Sequence, residues 1–235
     1  MLARQSPFGF VRYNDGEMMA IRGRALRVAR EEQRVSPQLA AALRAGLEKP
    51  APGVVVGIPC PACWPDDHVA ARRLVPAGHR LVPATALQNK AHILATQAIL
   101  GVLRAQQDRQ VAWVGAASHD LSQLEGLLGH RVMHVPVPER DAFDAAIQRF
   151  DEISDSLARA AVVFLSCGPA SRHGVNVLRA SSPHVTAIDI GTLFDPMTRG
   201  IRHSYHRDDS RLVCPACSGP VHRKRWSALH ERLGS

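Results

Sequence analysis

Seven short apolar runs, at residues 8–12, 54–58, 80–83, 111–115, 132–137, 161–166 and 185–190, most restrict the folds open to this chain. Two of them, Val54-Val55-Val56-Gly57-Ile58 and Ala161-Val162-Val163-Phe164-Leu165-Ser166, hold almost no polar residue. A strand with one face in water alternates polar and apolar side chains, so a run without alternation reads as buried on both faces. Between the runs, residues 37–48, 66–74, 89–107, 121–128, 141–159 and 171–180 carry apolar side chains at helical spacing. Alternation of this kind predicts an α/β fold with a mostly parallel sheet and helices on both faces. Such sheets bind ligands beyond the carboxyl ends of their strands, and the loops there are the places to look for function.

With 235 residues, 46% of them hydrophobic and 21% charged, the chain can bury a full core. No apolar run approaches the ~20 residues of a membrane span. The stretch Met1-Leu2-Ala3-Arg4-Gln5-Ser6-Pro7 lacks the apolar centre of a secretion signal, and the cytoplasmic compartment is the default expectation. The formal charge is +8, carried almost wholly by arginine, with Lys only at 49, 90 and 224. From Arg199 onward eight Lys/Arg stand against three Asp/Glu. The α/β pattern gives way near residue 207, which divides the chain into a domain over 1–206 and a short basic, Cys-containing tail over 207–235. Such a tail favours phosphate-bearing partners or, more simply, stays solvated.

The densest chemistry lies near the start, in Phe10-Val11-Arg12-Tyr13-Asn14-Asp15-Gly16-Glu17. Two carboxylates flank a glycine directly after a strand. If Gly16 lets the backbone turn sharply, Asp15 and Glu17 can face one centre and hold Mg²⁺ or Mn²⁺, which keep other positions for water and phosphate. The plainer alternative is an Asp15 N-cap on a helix starting at Glu17. The motif alone does not separate the two.

Three further loops follow strands. Cys167-Gly168-Pro169-Ala170-Ser171 opens a helix, where free N–H groups and the helix dipole suit a phosphate. It lacks the G-x-G-x-x-G pattern of a dinucleotide site. Ala116-Ala117-Ser118-His119-Asp120 is a similar, weaker candidate. The last, Gly191-Thr192-Leu193-Phe194-Asp195-Pro196, leads on to Arg202-His203-Ser204-Tyr205-His206. Asp189 ends the buried strand before it, where a carboxylate is costly without a partner.

Four of the five cysteines form two identical tetrapeptides, Cys60-Pro61-Ala62-Cys63 and Cys214-Pro215-Ala216-Cys217. Two such pairs supply the four thiolates of a structural zinc site, which has no open position for catalysis. The pairs are far apart in sequence, so the expectation requires the tail to fold back beside the loop after residues 54–58. His68 and His222 lie near enough in sequence to be rival ligands. A redox pair at Cys60 and Cys63 is a competing reading, weakened by the second copy.

Taken in order, these motifs resemble the GT-D-type glycosyltransferases. Arg12-Tyr13-Asn14-Asp15-Gly16-Glu17 resembles that family's Arg-(Phe/Tyr)-(Gly/Asn)-Asp-Gly-Glu signature. Ser166-Cys167-Gly168-Pro169-Ala170 resembles its strand-to-helix Gly-Pro loop. Ile188-Asp189-Ile190-Gly191 with Phe194-Asp195-Pro196 resembles its Asp-x-Gly segment, and Arg202-His203-Ser204-Tyr205-His206 its closing Arg-Ser-Tyr-His stretch with one His added. The resemblance spans roughly residues 8–206 and includes neither the Cys-Pro-Ala-Cys pair nor the basic tail.

What the resemblance implies is a Rossmann-like transferase taking a sugar from a nucleotide-diphosphate donor, a UDP-sugar or similar, to an acceptor hydroxyl. Asp15 and Glu17 would act at the diphosphate through Mn²⁺ or Mg²⁺. Arg12, Asn14, Gly168, Pro169, Ser171, Arg202 and Tyr205 would meet the donor, and Asp189, Asp195 or His206 would take the acceptor's proton. The acceptor would be a glycan, a protein or a nucleic acid. A zinc-stapled nucleic-acid-binding protein, using Arg223-Lys224-Arg225-Trp226, is the reading from a different class, and a transferase acting on modified DNA joins the two.

Overall fold

A computed structural model of the chain describes residues 6–24, 26–28, 31–33, 35–87, 97, 99–101, 103, 110–139, 142–201 and 214. All seven apolar runs are strands of one sheet. Strands β1 (Gly9–Arg12), β4 (Val54–Ile58), β5 (Leu81–Pro83), β6 (Val111–Ala116), β7 (Val132–Val137), β8 (Val162–Ser166) and β9 (Thr186–Asp189) lie in the order β5-β4-β1-β9-β8-β6-β7. Every pairing in it is parallel. A small antiparallel hairpin, β2 (Leu26–Val28) with β3 (Glu31–Gln33), stands apart from the sheet. The apolar pattern gave no sign of it, because Glu31-Glu32-Gln33 bears no apolar side chain.

The described helices are α1 (Asp15–Ile21), α2 (Pro37–Glu48), α3 (Pro65–Leu74), α4 (Ser122–Leu128), α5 (Ala142–Ala158), α6 (Ala170–Ser181) and the single turn α7 (Asp195–Thr198). Helix α2 starts where Ser36 accepts a hydrogen bond from the Leu39 amide at 3.1 Å and Pro37 takes the first helical position. It buries Leu39, Leu43 and Leu47, spaced four apart, on one stripe. Most of the expected helix over 89–107 lies outside the described residues.

Two apolar clusters account for the double burial of the strands. One face carries Val11, Val56, Val114, Val163 and Leu165 against α2, α5 and α6. The other carries Phe10, Val55, Trp113, Phe164 and Ile188 against Leu100, Leu103, Leu124 and Phe194. A residue pointing up and its neighbour pointing down are thus both in the dry interior, as the runs without alternation required.

The strand order sets where a ligand can sit. From β1 the chain builds outward through β4 and β5, then crosses and builds the other side through β6, β7, β8 and β9. The two halves meet between β1 and β9. In open α/β sheets the crevice outside the carboxyl ends at such a reversal is the usual ligand position.

Candidate functional site

At the carboxyl ends of β1 and β9 four charged side chains from separate segments converge. Asp189, the last residue of β9, is wholly buried. Its Oδ2 accepts from the Arg12 backbone amide at 3.2 Å and lies 3.2 Å from Arg172 Nε and 3.6 Å from Arg12 Nε. Its Oδ1 accepts from the Gly191 amide at 3.2 Å. Arg172, in the first turn of α6, reaches the other way to Glu17 Oε1 at 2.8 Å. It also donates to the backbone carbonyls of Arg12 (2.7 Å) and Gly168 (2.6 Å). Arg12, Glu17, Arg172 and Asp189 are all buried. Asp189 and Glu17 raise the Arg172 pKa further against burial, which alone would lower it. The two cations and two anions neutralise one another, the condition on which buried charge is tolerable.

The local sequence explains the arrangement. Asn14 is extended and precedes α1, and its amide donates to Glu17 Oε2 at 2.9 Å, an N-terminal capping contact. The helix therefore begins at Asp15, two residues before the start expected for an Asp15 cap, and Asn14 holds the cap position. Gly16 is an ordinary helical residue and is absent from the glycines with positive φ. The sharp glycine turn expected between the acids is not there. Positions two apart on a helix do not face each other, so Glu17 points in to Arg172 while Asp15 stays half-exposed. Among the described residues no ion pair reaches Asp15.

Two glycines bring the loops together. Gly191 has φ +50, a conformation side-chain-bearing residues rarely adopt, and a Cβ there would coincide with Arg12 Nη2. Gly168, at φ +59, turns the chain from β8 into α6 and aims its carbonyl at Arg172. Ser166 Oγ donates to the Gly191 carbonyl at 2.9 Å and joins the β8 and β9 loops. Ser171 is buried, its Oγ accepting from the Cys167 amide at 3.1 Å. Burial pushes the Cys167 thiol up to about 12, so it stays protonated. Asn14, Asp15, Pro169, Gly191 and Thr192 are half-buried and Gly168 is exposed; together they form a rim over the charged floor.

The loop after β9 is anchored by Phe194, which packs edge-on to Phe164 at 5.7 Å and lies 6.1 Å from Trp113. Asp195 follows, buried, with its Oδ2 3.7 Å from Arg199 Nη1. Arg199 also holds Glu139 at 2.7 Å. His119, in the loop after β6, is held down at about 4 by burial and by the nearby Arg199. Its neutral ring accepts from Trp113 Nε1 at 2.9 Å. Arg202, Tyr205 and His206, and the basic tail apart from Cys214, lie outside the described residues.

Elsewhere on the same end of the sheet, past β4, Cys60, Cys63 and Cys214 place their sulfurs within 4.8 Å of one another. Cys214 is thus beside the first tetrapeptide, as the fold-back expectation required; Cys217 and His222 are not among the described residues. His68 Nδ1 lies 2.8 Å from the Pro59 carbonyl.

Sequence reasoning passed over Arg172, the residue that joins everything else. One signal could have exposed it. A cation in the first turn of a helix opposes the positive end of the dipole and calls for a compensating anion; the sequence offered Glu17 and Asp189.

No family model matches the sequence, and no curated protein matches it. Among solved structures, one described as the highly conserved domain of unknown function 1792, with a distinct glycosyltransferase fold, is similar to this chain with a TM-score of 0.57. The identity is 16%, over 79% of this chain and 73% of that one. The likeness is one of fold: the chain has an α/β, glycosyltransferase-like fold.

Proposed function

We propose that the chain is a glycosyltransferase that takes a sugar from a nucleotide-diphosphate donor and uses the β1–β9 crevice as its donor site. The observation that carries this reading is the neutral, buried Arg12–Asp189–Arg172–Glu17 floor beneath a rim whose remaining charge is Asp15. Glycosyl transfer leaves negative charge on the departing diphosphate, and preorganised positive groups stabilise it best where water is scarce. Arg12 is such a group: its Nε is buried 3.6 Å from Asp189 without a hydrogen-bond partner, and its guanidinium is crowded against Gly191. The turn at Gly168 and the start of α6 supply amide N–H groups for phosphate oxygens.

The donor set fits a divalent cation that arrives with the diphosphate. Mg²⁺ commonly takes one or two carboxylates and completes its shell with water and substrate phosphate. Asp15 would hold it, and Glu17, with both oxygens already bound to Arg172 and the Asn14 amide, would position Arg172 and the helix start. When bound, such an ion supplies Lewis-acid neutralisation of the leaving group. Burial and ion pairing withdraw Asp189 and Asp195 from the acceptor, which leaves the acceptor's proton to His206, a residue type whose ordinary pKa lies nearest neutrality.

Incubation with a panel of nucleotide sugars and Mn²⁺ should release the nucleoside diphosphate. Asp15→Ala should lower that release by at least about a hundredfold while leaving the thermal transition in place. Undiminished turnover in Asp15→Ala would remove the catalytic assignment.

A further inference from the structure

The thiol cluster has no part in sugar transfer as described, yet it is too specific to be packing alone. Cys60 and Cys214 are 154 residues apart in sequence, and both are buried. Their sulfurs are 4.0 Å apart, far beyond the ~2.0 Å of a disulfide bond. A tetrahedral zinc with Zn–S bonds near 2.3 Å has sulfur–sulfur edges of about 3.8 Å. The observed separation is close to that edge, and Cys63 falls within the same 4.8 Å circle.

The backbone of the first tetrapeptide is a tight turn. The Trp64 amide donates to the Cys60 carbonyl at 2.8 Å, and α3 starts at Pro65 directly behind it. Such a knuckle presents two sulfurs to one point. The second tetrapeptide repeats the sequence, and its Cys214 is the residue set beside this turn.

We propose that the chain holds one structural Zn²⁺ on the thiolates of Cys60, Cys63 and Cys214, fastening Cys214 to the carboxyl end of β4. A thiolate-rich set of this kind is typical of structural zinc. Its effect on the neighbouring crevice is positional. Ile201 is tied to Asp195 beyond β9 by a 3.2 Å backbone hydrogen bond, and Cys214 is set beside β4, with β1 between those two strands. The ion would thereby hold Cys214 at a fixed place relative to Ile201.

The test uses the full chain purified without chelator and without an added histidine tag. Elemental analysis should find about one zinc per chain. Replacement by Co²⁺ should give the charge-transfer and visible bands of a tetrahedral thiolate site. Cys60→Ser and Cys214→Ser should each reduce bound zinc to less than about a tenth, and Cys167→Ser should leave it unchanged. Because those variants can fail to fold, the unaltered chain gives a second measurement. An organomercurial should release the zinc, and trypsin should then cut C-terminal to Ile201 before it cuts the sheet. A zinc-free chain, a cobalt complex without thiolate bands, or zinc retained by folded Cys214→Ser would each overturn the proposal. These measurements read metal and proteolysis, and hold whether or not sugar transfer is observed.

Discussion

The two clusters at the carboxyl end of the sheet solve opposite problems. At β1 and β9, Arg12, Arg172, Glu17 and Asp189 bring both signs of charge, and the chain balances them itself. At β4, Cys60, Cys63 and Cys214 bring donors of one kind, whose thiolates would repel unless a cation joined them. Both clusters gather residues from distant parts of the chain. The first is balanced by its own side chains, whereas the second would gain its stability from the proposed ion. The first design holds its arginines in place without a ligand, as the proposed donor site would require; a fastening for a chain end would gain from the second.

The largest effect should come from breaking the balance at the first cluster. Arg172 is the partner of both Glu17 and Asp189, so Arg172→Met leaves two buried carboxylates with Arg12 alone. Breaking a buried pair from one side costs about 3–5 kcal/mol, and urea denaturation should show a loss of that size. Arg172→Lys keeps the charge but cannot reach Glu17, Asp189 and two carbonyls at once, so it should recover part of the loss. If Arg172→Met unfolds at the same urea concentration as the parent, the cluster is not the self-balanced unit described.

Gly191→Ala tests the same cluster through its backbone. The positive φ costs an L-residue about 1–2 kcal/mol, and the new Cβ would displace the Arg12 guanidinium. Donor turnover should fall further than stability does, whereas cobalt bands from the thiol cluster should be unaltered. Loss of those bands in a folded Gly191→Ala variant would show that the two clusters are one coupled system.

A finer comparison lies between the two acids of the first motif. Glu17→Gln removes the charge facing Arg172 and should cost about 1–3 kcal/mol in urea. Asp15→Asn changes a half-exposed residue with no ion pair among the described ones, and its stability should move by no more than about 0.5 kcal/mol. Equal destabilisation by both would place Asp15 inside the buried network.

Strand periodicity made the sheet legible, because a run such as Val54–Ile58 has one physical explanation. Parallel strands put the Asp189 and Gly168 loops at the same end of the sheet as the end of β1, but their convergence comes from the strand order, which the apolar runs do not reveal. What could not be read was direction. Nothing in Asp15-Gly16-Glu17 distinguishes a turn, which would aim both acids at one point, from a first helical turn, which sends them apart. Arg172 was hidden for a related reason: its importance lies in contacts with residues 155 and 17 positions away in sequence, which no local pattern records. The hairpin at Leu26–Val28 and Glu31–Gln33 escaped because half of it is charged.

The smallest expected effect on turnover marks where the first cluster ends. Tyr13 sits between Arg12 and the capping Asn14, in the motif that most strongly attracts a functional reading. Yet its side chain is fully buried, and its hydroxyl has no hydrogen-bond partner among the described residues. The hydroxyl instead lies against α2, where a Cβ on Gly46 would come within 2.5 Å of it. Burial raises its pKa, so it carries no charge into the balance. Deleting an unsatisfied buried hydroxyl costs little and can stabilise. Tyr13→Phe should therefore shift urea stability by less than about 1 kcal/mol and leave donor turnover within about twofold. A tenfold or greater drop in turnover at unchanged stability, about 1.4 kcal/mol in the barrier, would mean that the hydroxyl meets the donor. The ionic floor would then extend one residue further along β1 than its charges do.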